Sequence, residues 1–311
     1  MNDVIIIGGS FAGIAAALQL ARARRQVVVV DSGTPRNRVA DHAHGVLGHD
    51  ARPPLELLAD ARTQLLRYPT VRFVQATAEQ VVHHADTTFQ VRISTGEQLR
   101  ARRIILATGV RDVLPPVPGL AERWGVGVAH CPYCHGYEVA GQRLGVLATG
   151  EMAVHQAWML PDWSDHVVLL TNARVVLTAE QRAACVQRGI DIVDGQVSSV
   201  RGPGRMIDSV VLADGRVIAI AALFVAPRTQ LTSPLAEQLG CTLDTGPIGP
   251  FIRTDERQAT TVPGVFAAGD AARTMHTITG AMADGAMAGV FAHQSLIRTM
   301  HPDPAATTLQ A

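Results

Sequence analysis

The chain has 311 residues, more than a single compact core commonly organises, so two domains are expected. A hydrophobic fraction of 47% and a charged fraction of 17% exclude a disordered chain. Lys+Arg and Asp+Glu both number 27 and aromatics make up 4%, which leaves no electrostatic or stacking case for binding nucleic acid or an anionic membrane surface. No apolar run approaches the ~20 residues that cross a bilayer, and Met1-Asn2-Asp3 lacks the basic start of a secretory signal. A soluble, cytoplasmic protein is expected. Four cysteines do not make a disulfide scaffold. Cys131 and Cys134 form a C-x-x-C, whereas Cys185 and Cys241 stand alone.

Residues 4–7 form an apolar run of strand length that ends in Gly8-Gly9-Ser10-Phe11-Ala12-Gly13. Residues 14–25 are Ala- and Leu-rich with helical spacing and a basic end. Residues 26–30 are a second buried strand, closed by Asp31, which completes a βαβ start. Residues 53–66 predict a helix, and 71–82, 89–94 and 103–106 predict short strands. In mid-chain a similar unit recurs: strand 144–147, a turn at 148–153 and strand 167–170. The tail after His301 is Pro-, Ala- and Thr-rich and is expected to fray.

The Gly8–Gly13 turn fits G-x-G-x-x-G, with Ser10 in place of the second glycine. Such a turn lets backbone approach a pyrophosphate at a helix N-terminus, and an acid ending the second strand takes the ribose hydroxyls. Asp31 stands where that acid belongs. Two later segments add to the pattern: a strand ending in Ala107-Thr108-Gly109, and residues 261–270 ending in Gly269-Asp270 before a small-residue helix.

With these motifs in this order, from about residue 3 to 297, the sequence resembles the two-dinucleotide-binding-domain flavoproteins, within them the low-molecular-weight thioredoxin reductase group. The resemblance implies an α/β fold of two Rossmann-like three-layer dinucleotide-binding domains, the second inserted in the first. Residues 1–112 and 243–311 are expected to form an FAD-binding domain. Residues 113–242 form a NAD(P)H-like domain carrying the C-x-x-C, with proline-rich crossings at 114–118 and 227–250. FAD should be lined by Gly8, Ser10, Ala12, Gly13, Asp31, Thr108, Gly109, Gly269 and Asp270. The stretch from Gly33 through Arg36 and Asn37 should run beside ribose and phosphates, where Arg36 offers a charge-assisted contact. His276, Thr277 and Ile278 fall where the family has Arg-Gln-Ala at the flavin edge. A homodimer is expected on the same ground.

Cys131-Pro132-Tyr133-Cys134-His135-Gly136-Tyr137-Glu138 carries the chemistry. Two thiols at this spacing close a small disulfide ring, and the thiolate is the reactive species. His130 and His135 flank the pair, so a zinc site is geometrically conceivable, but adjacent residues seldom both reach one tetrahedral ion; no metal is expected. By the resemblance, Cys134 faces the flavin and Cys131 exchanges with the substrate. The family places an aspartate after the second cysteine as acid/base. Here it is His135, which titrates near neutrality and is able to take a thiol proton. The run from His42 and His44 to His49 reads as a loop over the flavin rather than as a metal cluster.

The second nucleotide unit is degraded. Ala148 stands where the first glycine belongs, Glu151 opposes a pyrophosphate, and a single arginine, Arg174, follows the next strand. NAD(P)H binding is therefore doubtful. The combination resembles the flavin-dependent dithiol oxidases that form disulfides in small natural products of the gliotoxin, holomycin and depsipeptide type. A small or peptide dithiol is the expected substrate and O2 the final acceptor, with Val126, Val128 and Tyr133 offering an apolar mouth. The alternatives are a NAD(P)H-dependent thioredoxin or disulfide reductase, and a redox-sensing flavoprotein.

Overall fold

The computed structural model describes residues 1–300, with side chains to residue 297; the tail after His301 lies outside the described residues. The chain divides into two compact units. One comprises residues 1–36, 55–111 and 230–311, the other 37–54 and 112–229. The return crossing thus lies at 229/230 rather than at the expected 242/243, and residues 37–54 cluster with the inserted unit.

The first unit opens with strand β1 (Asn2–Ile7), helix α1 (Phe11–Arg22) and strand β2 (Val27–Asp31). Helix α1 begins three residues earlier than its spacing suggests, with Ser10 as the extended N-cap. Gly13 lies inside it because a β-carbon there would come within 1.8 Å of the Gly8 carbonyl oxygen. The helix ends at Arg22, and Arg24 takes a left-handed φ of 60°. Helix α2 (Pro54–Leu65) leads to β3 (Val71–Gln75), β4 (Ala78–His83), β5 (Phe89–Ile93), β6 (Gln98–Leu106) and β7 (Val110–Val113).

The second unit contains β8 (Val128–Ala129), α3 (Pro132–His135), β9 (Leu144–Leu147), α4 (Met152–Met159), β10 (Val167–Leu170), α5 (Ala179–Gln187) and β11 (Ile190–Val193). Strands β12 (Val197–Arg201), β13 (Ser209–Leu212) and β14 (Val217–Ala219) form an antiparallel sheet that precedes β15 (Ala222–Val225). The parallel order is β11-β10-β9-β15-β8. Residues of one face, Val146, Leu169 and Phe224, pack with Ala153, Ala157 and Cys185 of α4 and α5. The opposite face, Leu147, Val168 and Leu223, packs with Val200, Val210 and Leu212 of the antiparallel sheet.

The chain then pairs β16 (Arg228–Leu231) with β7 and returns through α6 (Leu235–Gln238), β17 (Leu243–Thr245), β18 (Pro250–Ile252), β19 (Val265–Ala267) and α7 (Ile278–Met300). In the first unit the order is β3-β2-β1-β6-β5-β4, with β19 also on β6. Alternation splits β1 between two cores: Ile5 and Ile7 on one face, Val4 and Ile6 on the other. A strand covered on both faces reads as a continuous apolar run, which is how residues 4–7 read. Helices α1 and α7 cross closely because Gly285 and Gly289 carry no side chain; a β-carbon would fall 2.1 Å and 2.5 Å from the Ala12 and Ala16 carbonyl oxygens.

Candidate functional site

The three motif strands end in one row. Ile7 pairs in register with Leu106 and with Val30, and Leu106 with Ala267. The turns that follow, at Gly8, Ala107 and Ala268, therefore share the carboxyl edge of the sheet, with Asp31 beside them. Crevices of this kind, outside the carboxyl ends of parallel strands, are where open α/β sheets bind ligands. Gly8 (φ 105°) passes so near Ala107 that a β-carbon would lie 2.1 Å from its carbonyl oxygen. Gly9 donates its N–H to Asp31 Oδ1 at 3.0 Å, and a β-carbon on Gly9 would strike the Asp31 side chain. The Gly109 side opens outward, with nothing within 4 Å of a β-carbon.

Arg36 closes the row from the side. Its Nη1 donates to Asp270 Oδ2 at 3.1 Å and to His276 Nδ1 at 2.7 Å. His276 Nε2 lies 3.1 Å from the Arg273 carbonyl oxygen, so the ring carries its hydrogen on Nε2. Ser10 makes no side-chain cap bond. Ala12 is buried against Gly269, and its part is to let α1, Gly269 and α7 approach. Thr277 Oγ1 accepts the Gly280 N–H at 2.9 Å at the start of α7, and Ile278 is the first residue of that helix. Asn37 follows Arg36 in the same 3₁₀ turn, Arg36–Val39, where the second unit begins.

In the second unit Cys131 and Cys134 form a disulfide with Cα atoms 5.2 Å apart. Cys131 caps α3 in extended conformation, Pro132 supplies the fixed φ of a first helical residue, and one turn brings Cys134 back. His135 ends that turn. Both of its ring nitrogens are shielded from solvent and lack a hydrogen bond of ordinary geometry. Burial pushes its pKa below the usual histidine value; a weaker polar contact with the Cys131 backbone and the charge of Glu138 oppose this, while His44 and His130 reinforce it. His130 Nδ1 lies 3.3 Å from the Val225 carbonyl oxygen, and its own carbonyl accepts from Gln156 at 2.6 Å, a structural setting. Tyr133 is 75% exposed, its ring edge-on to Trp163 at 5.3 Å. Val128 is fully buried in the core and lines no mouth, which corrects the sequence expectation: in β8 it pairs with Leu223 of the neighbouring strand β15. Among the described residues no group of three or more His, Cys, Asp or Glu side chains is placed to hold a metal ion.

After β9, at the place of the second dinucleotide turn, several polar groups are engaged in the chain's own hydrogen bonds. Ala148 is buried, and its carbonyl accepts from Asn172 Nδ2 at 3.4 Å. Asn172 Oδ1 accepts the Val197 N–H at 2.9 Å. Thr149 Oγ1 donates to the Ala226 carbonyl at 2.8 Å, and Thr171 Oγ1 to Asp194 Oδ1 at 3.0 Å. Glu151 occupies the N-cap of α4. A carboxylate at this helix N-terminus opposes a pyrophosphate, and the Thr149 side chain and the Ala148 carbonyl are already paired.

Residues 2–285 match the family model described as pyridine nucleotide-disulphide oxidoreductase. The chain belongs to that family. This oxidoreductase is 34% identical to the thioredoxin reductase tcpT of Claviceps purpurea, over 96% of this chain and 95% of that one. It is 32% identical to the thioredoxin reductase sirT of Leptosphaeria maculans, over 92% of each. Among solved structures, HlmI superposes with a TM-score of 0.91 at 37% identity, covering 98% of this chain and 96% of the other. The chain is thus a thioredoxin reductase-like flavoprotein oxidoreductase with the two-domain dinucleotide-binding fold of that group.

Three residues make contacts that the sequence reading did not assign them: Gly9, Glu138 and His44, the last read there only as part of a loop over the flavin. Gly9 holds Asp31, and only the glycine beside Gly8 hinted at it. Glu138 and His44 meet across 94 positions, His44 Nε2 to Glu138 Oε1 at 3.4 Å, a pairing no local spacing signals.

Proposed function

We propose that this flavoprotein oxidoreductase is a dithiol oxidase, converting a small-molecule or peptide dithiol to its disulfide through Cys131 and Cys134, with FAD as cofactor and O2 as final acceptor. The carboxyl edge of the first sheet fits FAD. Gly8, Ser10 and Gly13 admit the pyrophosphate to the N-terminus of α1, Asp31 presents an oxygen to the ribose, and Arg36, Thr108, Gly109, Gly269 and Asp270 complete the cradle. When bound, FAD supplies the two-electron couple that returns the Cys131/Cys134 dithiol to the disulfide.

The protein's own residues carry the exchange. A substrate thiol gives its proton to a ring nitrogen of His135 and its sulfur bonds to Cys131 Sγ. The Cys131–Cys134 bond breaks and Cys134 leaves as thiolate. The second substrate thiol then attacks the mixed disulfide, releasing the cyclised product, and its proton passes to the departing Cys131 sulfur, which leaves as the thiol. A desolvated histidine, neutral at neutral pH, suits the first proton transfer.

The Glu151 carboxylate at the N-terminus of α4, after β9, is the observation that favours the oxidase direction, because a reductase draws its electrons from a nicotinamide whose pyrophosphate would sit there. A NAD(P)H-dependent disulfide reductase is the second reading, favoured by the names of the relatives. Anaerobic mixing separates the two. Dithiol alone is expected to bleach the flavin within the turnover time, and NADPH alone to leave it oxidised; rapid bleaching by NADPH with none by dithiol would reverse the assignment.

A further inference from the structure

The histidine-rich segment with His42, His44 and His49 clusters with the second unit. Arg205 anchors it, pairing Nη1 with Asp41 Oδ1 at 2.7 Å and contacting the Val39 carbonyl. His44 is mostly buried, its side chain 18% exposed. Its Nε2 lies 3.4 Å from Glu138 Oε1 and its Nδ1 3.7 Å from Asp50 Oδ1. That Asp50 oxygen also accepts the Gly45 N–H at 2.8 Å, which fixes the carboxylate in place. One imidazole is therefore set between two carboxylates, and only the doubly protonated ring has an N–H for each.

Glu138 belongs to the 3₁₀ turn Tyr137–Val139, which follows α3 directly and stands three residues after His135. The titratable groups facing His135 are Glu138 from this turn, His44 from the 37–54 segment and His130 from the end of β8. His44 itself faces Asp50, Glu138 and the ring of His42, 6.3 Å away.

We propose that His44, held between Asp50 and Glu138, is a positioning residue for thiol exchange at Cys131–Cys134, acting through Glu138 on His135. This rests on the reading of His135 as the base. When His135 takes the substrate proton, the charge it gains is favoured by Glu138 and opposed by His44. The pair thus sets how readily the proton leaves again. Removing His44 leaves Glu138 uncompensated, so the His135 imidazolium persists to higher pH. Removing the Glu138 charge has the opposite effect. Opposite shifts from two partners of one contact are not what a merely structural role produces.

The test is the pH dependence of single-turnover reduction of the Cys131–Cys134 disulfide. It uses flavin-loaded enzyme, anaerobic dithiothreitol and alkylation of the freed thiols. On the limb where His135 is protonated, His44→Asn is expected to be roughly 3–10-fold slower than wild type, its midpoint moved to higher pH. Glu138→Gln is expected to move the midpoint to lower pH, and the double variant to bring it back towards wild type. Midpoints unmoved while the rate falls equally at all pH values, or two shifts in the same direction, would overturn the proposal. His135→Gln separates the two failures. If it leaves the profile unchanged, the reading of His135 as base falls and this proposal with it. If it abolishes the profile while His44→Asn moves nothing, only this proposal falls.

Discussion

At the scale of single residues, the disulfide and its histidine divide the chemistry. Cys131→Ser is expected to abolish dithiol oxidation while the visible flavin spectrum persists, since Cys131 lies in the second unit and the FAD cradle in the first. Loss of the spectrum in that variant would contradict the assignment. His135→Ala is expected to slow exchange by about 10²–10⁴-fold, the usual worth of a positioned base. The same burial has a consequence for stability. Because the folded protein holds His135 below its ordinary value of 6.5, it binds fewer protons there than the unfolded chain. Stability therefore rises with pH through the window from the lowered value up to 6.5, and is lost as pH falls through it. His135→Gln is expected to flatten that part of the pH–stability curve in urea titrations; an unchanged slope would place the ring in a solvated setting. The C-x-x-C-H motif was legible in sequence because its members are adjacent. Glu138 and His44 were not, because their contact is made only when residues 37–54 pack on the second unit.

At the scale of elements, the site edge depends on small residues that let backbones meet. Gly285 is the sharpest case, with the Ala12 carbonyl where a side chain would start. Gly285→Val is expected to cost at least about 2 kcal/mol in chemical denaturation, by overpacking a seam that has no slack. The same variant should lose flavin affinity because α1 carries the Gly8–Gly13 turn; unaltered stability and flavin content would mean that the seam relaxes. Asp31→Ala is expected to weaken FAD binding by about 10–100-fold, the worth of a charged hydrogen bond, read by titrating the apoprotein with FAD. The βαβ start was legible because β1 and β2 are buried on both faces and the acid ends β2. The start of α1 was misplaced by three residues because Gly13, which normally argues against a helix, is required there by the Gly8 carbonyl. The sheet of β12–β14 left no clear signal: its strands are only three to five residues long, and exposed positions interrupt the apolar pattern of β12 and β14.

At the scale of the whole molecule, two dinucleotide folds are present, and the second carries a carboxylate, Glu151, at the helix N-terminus that follows its first strand. Ala148 and Glu151 were legible in sequence, whereas the bonds of Asn172 to Ala148 and Val197 needed the fold. The chain's zero formal net charge gives no long-range steering towards a charged protein partner, in keeping with a small dithiol as substrate. Oxygen uptake by the purified, FAD-loaded enzyme tests the oxidase assignment most directly. With a small dithiol in air and no nicotinamide present, uptake is expected to be sustained and to match dithiol loss one to one; negligible uptake with dithiol, alongside rapid NADPH-driven disulfide reduction, would contradict it.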